Sequence, residues 1–101
     1  MDDTERKAVD LSGYLICASK AEADAVRRHL PEHIRLTRTE PGCLSFEVTQ
    51  TDDPLVWRVD ERFADDAAFR AHQTRTRASA WWAATAGIRR EFRVTSGGLD
   101  R

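Results

Sequence analysis

The sequence predicts an α+β domain of the ferredoxin-like type: β-α-β-β-α-β, with helices on one face of an antiparallel four-stranded sheet. Three observations carry that expectation. Leu44, Phe46 and Val48 alternate with Ser45, Glu47 and Thr49, and Leu55, Trp57, Val59 and Glu61 alternate with Val56, Arg58, Asp60 and Arg62. A period of two marks strands with one buried face, and the polar turn Thr51-Asp52-Asp53-Pro54 joins them as a hairpin. Helix-opening signals stand before and after this hairpin, at Ser19-Lys20-Ala21-Glu22 and at Asp65-Asp66. Strands interleaved with helices in this order place both helices on the same side of the sheet.

Residues 1–10 are polar and read as a flexible leader, residues 11–96 as a single domain, and residues 97–101 as a loose tail. The first strand is the apolar run at 11–18, rich in strand formers. At the capping box Ser19 accepts from the amide three residues on, and Glu22 reaches back to the amide of Ser19. Val26, Leu30, Ile34 and Leu36 or Thr37 then recur at helical spacing. Pro31 removes an N–H and crowds the preceding turn, which predicts a kink or break near Leu30. Pro41-Gly42 ends this helix. The second helix starts at Asp65 or Asp66 and runs to about Ala84, with Gln73-Thr74 as the place where a break would fall. Phe69, His72, Thr76 and Ala80 lie along one side of it. Trp81 and Trp82 point about 100° apart, which predicts that they do not serve one surface. Gly87 stops the helix, and Ile88, Arg90, Phe92 and Val94 alternate along a last strand.

Composition narrows the function classes. Sixteen Lys and Arg against 17 Asp and Glu leave a formal charge of −1, without the basic excess of a general nucleic-acid binder. No apolar run approaches the roughly 20 residues that span a bilayer, and the charged N-terminus lacks the core of a signal peptide. The expectation is a soluble cytoplasmic protein without a membrane or nucleic-acid partner. Cys17 and Cys43 are far apart in apolar surroundings and read as reduced, mostly buried thiols, with no metal implied. His29 and His33 stand one turn apart, a spacing that could hold a metal, but no third ligand accompanies them and they read as a surface pair. Arg70, Arg75 and Arg77 read as a solvated helix face or as a lure for an anionic substrate. Glu40-Pro41-Gly42 reads as structural, ending a helix and starting a strand. The hairpin and last strand carry apolar or long side chains on both faces, while helices cover only one. A second copy of the sheet would cover the other, making a homodimer; the alternative is a monomer coated by arginine stems.

The block Glu40-Pro41-Gly42-Cys43-Leu44-Ser45-Phe46 resembles the antibiotic biosynthesis monooxygenase (ABM) family, in particular the small YgiN-like proteins regarded as quinol monooxygenases. The resemblance continues through Pro54, Asp60-Glu61-Arg62-Phe63, Ala68-Phe69-Arg70-Ala71-His72, Trp81-Trp82 and Gly87-Ile88, over about residues 12–95. It implies a dimeric α/β barrel with a pocket between each sheet and its helices. Some members there oxidise quinols or polycyclic phenols with O2 and no cofactor. Haem-degrading relatives rely on an Asn, a Trp and a late haem-ligating His; this chain has no Asn and no His after His72.

A phenol or hydroquinone reduces O2 most readily as its anion, so such a site needs a base, an aromatic-lined cavity and exclusion of water. His72 titrates near neutrality and lies on the sheet-facing side of its helix, as the base would. Glu61, among apolar neighbours, would orient His72 or take a substrate hydroxyl. Tyr14, Phe46, Trp57, Phe69, Trp81 and Trp82 are the candidate walls. Each has a structural alternative: His72 as a hydrogen-bonded core group, Glu61 paired with Arg90, the aromatics as core or dimer contacts. The functional expectation is a cofactor-independent monooxygenase acting on a quinol or phenolic, polyketide-like molecule with O2. The alternatives are a non-catalytic small-molecule-binding or stress-response accessory dimer, and a structural dimer whose core is filled.

Overall fold

The computed structural model describes residues 7–96 and the backbone of residues 99–100. Its elements are β1 (Val9–Ile16), α1 (Lys20–Arg38), β2 (Cys43–Gln50), β3 (Val56–Phe63), α2 (Asp66–Arg77), α3 (Ala80–Thr85), β4 (Arg89–Ser96) and β5 (Leu99–Asp100). The strands form one sheet in the order β2-β3-β1-β4-β5, with every pair antiparallel. The four long strands have the ferredoxin-like arrangement. The expected second helix is two helices, α2 and α3.

Local chemistry explains the boundaries. Strand β1 starts at Val9, inside the expected leader, because Ala8 and Val9 are buried. Residues 1–6 of that leader lie outside the described residues, as do 97, 98 and 101 of the expected tail. The backbone of 99–100 is part of the sheet, pairing Thr95 with Asp100 and Ser96 with Leu99. Ser19 caps α1 by accepting from the Glu22 amide, and Glu22 Oε1 accepts from the amide of Ala18, one residue earlier than expected. Helix α1 runs unbroken through Pro31. The prolyl ring sits on the exposed side, and the carbonyl it frees is that of exposed Arg27, on the solvent side of the helix, where losing the bond costs little. Asp65 caps α2. The break falls at Ala78, not near Gln73, because Ser79 supplies a fresh cap by accepting from the Trp82 amide. Ala80 therefore leaves the stripe of Phe69, His72 and Thr76 and is exposed.

Two glycines bring the layers together. Gly13 has a φ of +151°, and a Cβ there would collide with the Glu91 carbonyl of β4, so only glycine fits this crossing. At Gly42 a Cβ would collide with Ala68, so its absence lets α2 press onto the start of β2. Beside it, the pairing of β2 with β3 shifts register between Cys43 and Ser45. This bulge turns Leu44 outward, 51% exposed, although alternation places it with Phe46 and Val48.

The core lies between the sheet and the helices. Leu11, Leu15, Phe46, Val48, Trp57 and Val59 meet Ala23, Val26 and Leu30 of α1 and Trp81 of α3. On the other face of the sheet, Arg62 pairs with Asp10 at 3.2 Å, Arg58 with Asp60 at 2.9 Å, and Arg58 lies 5.1 Å over the Tyr14 ring. Among the described residues no helix is long and apolar enough to cross a membrane.

Candidate active site

A cavity of about 210 Å³ lies between the sheet and the three helices. Leu11, Leu15, Phe46, Val48 and Val59 make an apolar floor, in which Glu61 is the single carboxyl group. His33 of α1, His72 and Thr76 of α2, and Trp81 of α3 form the opposite wall; Gln73, Arg77, Trp82, Arg90 and Phe92, the more exposed lining residues, mark the mouth. A core packed solid beside His72 and Glu61 is therefore ruled out.

His72 is held by groups from two segments. It is 2% exposed, and its Nδ1 lies 2.9 Å from Glu40 Oε1. Glu40 follows the end of α1 in a tight turn: its N–H donates to the Thr37 carbonyl, and its own carbonyl accepts from Cys43 N–H. With Ala68 against Gly42, this turn delivers the carboxylate to α2. Arg75, one turn along α2, donates Nε to Glu40 Oε2 and Nη2 to Thr37 Oγ1 at 2.9 Å. The other ring nitrogen, Nε2, lies 3.4 Å from Thr76 Oγ1 and 3.7 Å from Glu61 Oε1.

The electrostatics keep His72 and Glu61 neutral at pH 7. Burial lowers the His72 pKa; contact and hydrogen bonding with Glu40 oppose this, and Arg75 adds to it. A neutral imidazole beside an acceptor-only carboxylate carries its proton on Nδ1, which leaves the Nε2 lone pair as a base. Burial, then repulsion from Glu40, pushes Glu61 up to about 8, against the attraction of Arg90, so Glu61 is a carboxylic acid at neutral pH. Its 3.7 Å approach to His72 is thus a contact between two neutral groups, too long for a hydrogen bond. Glu61 Oε1 is sealed without a hydrogen-bond partner, leaving Oε2 as the oxygen for a ligand. Arg90 donates to the carbonyls of Thr85 and Ile88 and lies 4.9 Å over the Trp82 ring, so its own charge is pinned at the mouth.

The structure brings together His72, Glu61, Phe46, Trp81 and Trp82 of the residues singled out in the sequence. Both tryptophans border the cavity despite their angular separation, because the short helix α3 closes one end: Trp81 is buried in the wall and Trp82 half-buried at the rim. Tyr14 is not a wall; it is 38% exposed on the other sheet face. Trp57 and Phe69 belong to the packing behind the cavity, Trp57 under Arg27 and Phe69 against Phe63. The partner that orients His72 is Glu40, which sequence reasoning took as structural. The expected pairing of Glu61 with Arg90 is an attraction without a direct ion pair among the described contacts.

His33 also departs from the surface position that its spacing from His29 predicts. It is 4% exposed, stacked on Trp81 with ring centroids 4.7 Å apart and planes 2° off parallel. His29 is half-buried, so the two are not a surface pair. The signal was present: Val26, Leu30, His33 and Thr37 follow at steps of four, three and four, one buried stripe. Arg75 is not solvated as expected but clamps Glu40, whereas Arg70 pairs with Asp66 on the surface. Cys17 is buried and Cys43 half-buried, and both are free thiols. Among the described residues no group of three or more His, Cys, Asp or Glu is placed to hold a metal ion.

Solved structures of several proteins share this chain's fold at low identity. A Bacteroides thetaiotaomicron protein with the provisional name antibiotic biosynthesis monooxygenase is 19% identical, with TM-score 0.75 over 96% of this chain and 90% of that one. A Nitrosomonas europaea protein of the same provisional name is 18% identical, with TM-score 0.73 and 90% of each chain covered. Rv0793 of Mycobacterium tuberculosis is 22% identical, with TM-score 0.71 over 94% of this chain and 98% of that one. A search of curated proteins finds no match. The family model described as antibiotic biosynthesis monooxygenase matches residues 16–84, which take in most of both cavity walls. The chain belongs to the antibiotic biosynthesis monooxygenase family.

Proposed function

We propose that the protein is a cofactor-independent monooxygenase of a quinol or phenolic small molecule. Family membership points to a monooxygenase-like or small-molecule-binding function. The observation that carries the finer reading is His72, oriented by Glu40 at 2.9 Å, with its other nitrogen beside Thr76 and Glu61 in the lining of a cavity also walled by Phe46, Trp81 and Trp82.

In this reading a substrate hydroxyl donates to His72 Nε2, and the proton passes to the imidazole. Glu40 stabilises the imidazolium, and the Glu61 acid donates to an oxygen of the bound anion. The anion then gives one electron to O2, forming superoxide and an aryloxyl radical. These recombine at a ring carbon as a peroxide anion, and the His72 imidazolium returns its proton to make the hydroperoxide. That carbon's hydrogen and the distal oxygen leave in water, and a carbonyl remains, so one oxygen atom enters the product and one enters water. The substrate supplies all the electrons. On the same reading two copies pack through the outer sheet face, which carries Ile16 and Val56 among its ion pairs, and the homodimer works in the cytoplasm.

Oxygen uptake with a panel of quinols and phenols tests this. Turnover of at least one, falling about 100-fold or more in His72→Ala, is expected. An unchanged rate in that variant removes His72 from the mechanism. Ligand-dependent melting shifts without oxygen consumption make the protein a binder.

A further inference from the structure

His33 is not used by the mechanism above. Its ring is wedged flat on Trp81 and edge-on to Phe46, at 5.3 Å, so its orientation is set by packing on two sides. It lines the cavity, yet its Nδ1 is sealed and has no hydrogen-bond partner. A neutral imidazole has one donor nitrogen and one acceptor. Sealing an N–H with nothing to bond is the costlier arrangement, so the proton belongs on Nε2, the nitrogen left for the cavity. Burial, then the charges of His72, Arg75 and Arg90, hold this ring near 3, so it stays neutral at any working pH. The cavity wall thus presents a fixed N–H donor beside the His72 acceptor.

The spacing of the two rings limits what can touch both. Their centroids are 5.9 Å apart, so their outermost nitrogens are no more than about 8 Å apart. A ring with oxygens at opposite ends, bonded outward at both, needs partners roughly 11 Å apart. Oxygens on neighbouring carbons, pointing out from one edge, need far less. We propose that His33 is a second ligand-contacting group that donates Nε2–H to an oxygen beside the hydroxyl held by His72, so that the cavity selects aromatic rings with two oxygens on one edge. This rests on the reading of the cavity as an aromatic-ligand site, but not on turnover.

Anaerobic calorimetric titration with 4-methylcatechol and methylhydroquinone, which have the same atoms in different placement, tests it. Wild-type protein should bind the catechol about tenfold more tightly, the effect of one neutral hydrogen bond. His33→Phe, which keeps the stack on Trp81, should bring the two within about twofold, and His33→Asn should restore part of the preference. In wild-type protein, 15N NMR should show the His33 proton on Nε2 and a shift of that resonance with catechol; this reading decides the matter should the Phe variant not fold. Equal binding of the isomers, a preference that survives in His33→Phe, or an unmoved resonance overturns the role of His33 alone. Failure of both isomers to bind overturns the ligand-site reading along with it.

Discussion

Replacing Glu61 with Gln should stabilise the protein, and by an amount that depends on pH. Unfolded, this carboxyl titrates near 4.5; folded, burial and Glu40 hold it near 8. Below pH 4.5 both states keep the proton and folding carries no pH-dependent cost. Between the two values the unfolded chain releases a proton that the folded chain retains, so stability falls by about 1.4 kcal/mol per pH unit and levels off above pH 8. The cost is below about 1 kcal/mol at pH 5 and about 3 kcal/mol at pH 7. His72, 3.7 Å away, can take up the proton that Glu61 loses, so these figures are ceilings. Glutamine keeps the shape and cannot ionise. Guanidinium titrations of both proteins at pH 5, 7 and 8.5 should show Glu61→Gln nearly neutral at the first and more stable at the others, with a melting temperature roughly 15 °C higher at pH 7. Titration of the other histidines is common to both proteins and cancels. A stability difference that is flat across this range would mean that Glu61 is ionised in the native state, and the acid role given to it would fall.

Two other substitutions test the frame of the site. Glu40→Gln should keep a hydrogen-bond acceptor for His72 but leave the imidazolium and the Arg75 guanidinium without a counter-charge. The expected result is a kcat lower by about 10- to 100-fold with KM nearly unchanged, and a shifted pH–rate profile; a loss confined to KM would show that Glu40 shapes binding instead. Gly13→Ala puts a methyl group into the Glu91 carbonyl at a φ of +151°, and should cost at least about 3 kcal/mol by denaturant titration. A cost below about 1 kcal/mol would show that β1 and β4 can separate there without loss.

Sequence periodicity reports which way a side chain points along a regular element, and it served well for that. Phe46 with Val48, and Trp57 with Val59 and Glu61, are on the buried face their alternation predicts, and Ser19 and Asp65 are caps. It fails where regularity is interrupted. The bulge at the start of β2 turns Leu44 out, and the new cap at Ser79 rotates Ala80 away from the stripe. It is silent on contacts between distant segments: Glu40 and His72 are 32 residues apart, and only the collapse of α2 onto Gly42 joins them. His33 is legible as a residue of the buried stripe of α1, with Val26, Leu30 and Thr37, whereas the four-residue step from His29 carries no information about which way either ring faces.

The pH behaviour of His33 and Glu61 bears on why such groups are buried at all. Unfolded His33 titrates near 6.5 and folded His33 near 3, so its contribution to stability is lost as pH falls through that interval. Glu61 acts in the opposite sense from about 4.5 to 8. Between pH 4.5 and 6.5 the two slopes are equal and opposite; below that window His33 weakens the fold, and above it Glu61 does. A packing role cannot account for this, since apolar side chains of the same volume would remove both penalties. Both groups border one cavity, together with His72, and are neutral at pH 7. There an acid, a base and an N–H donor can act on a ligand without the desolvation cost of a buried charge, and the ion pair behind them, Glu40 with Arg75, holds the base in place.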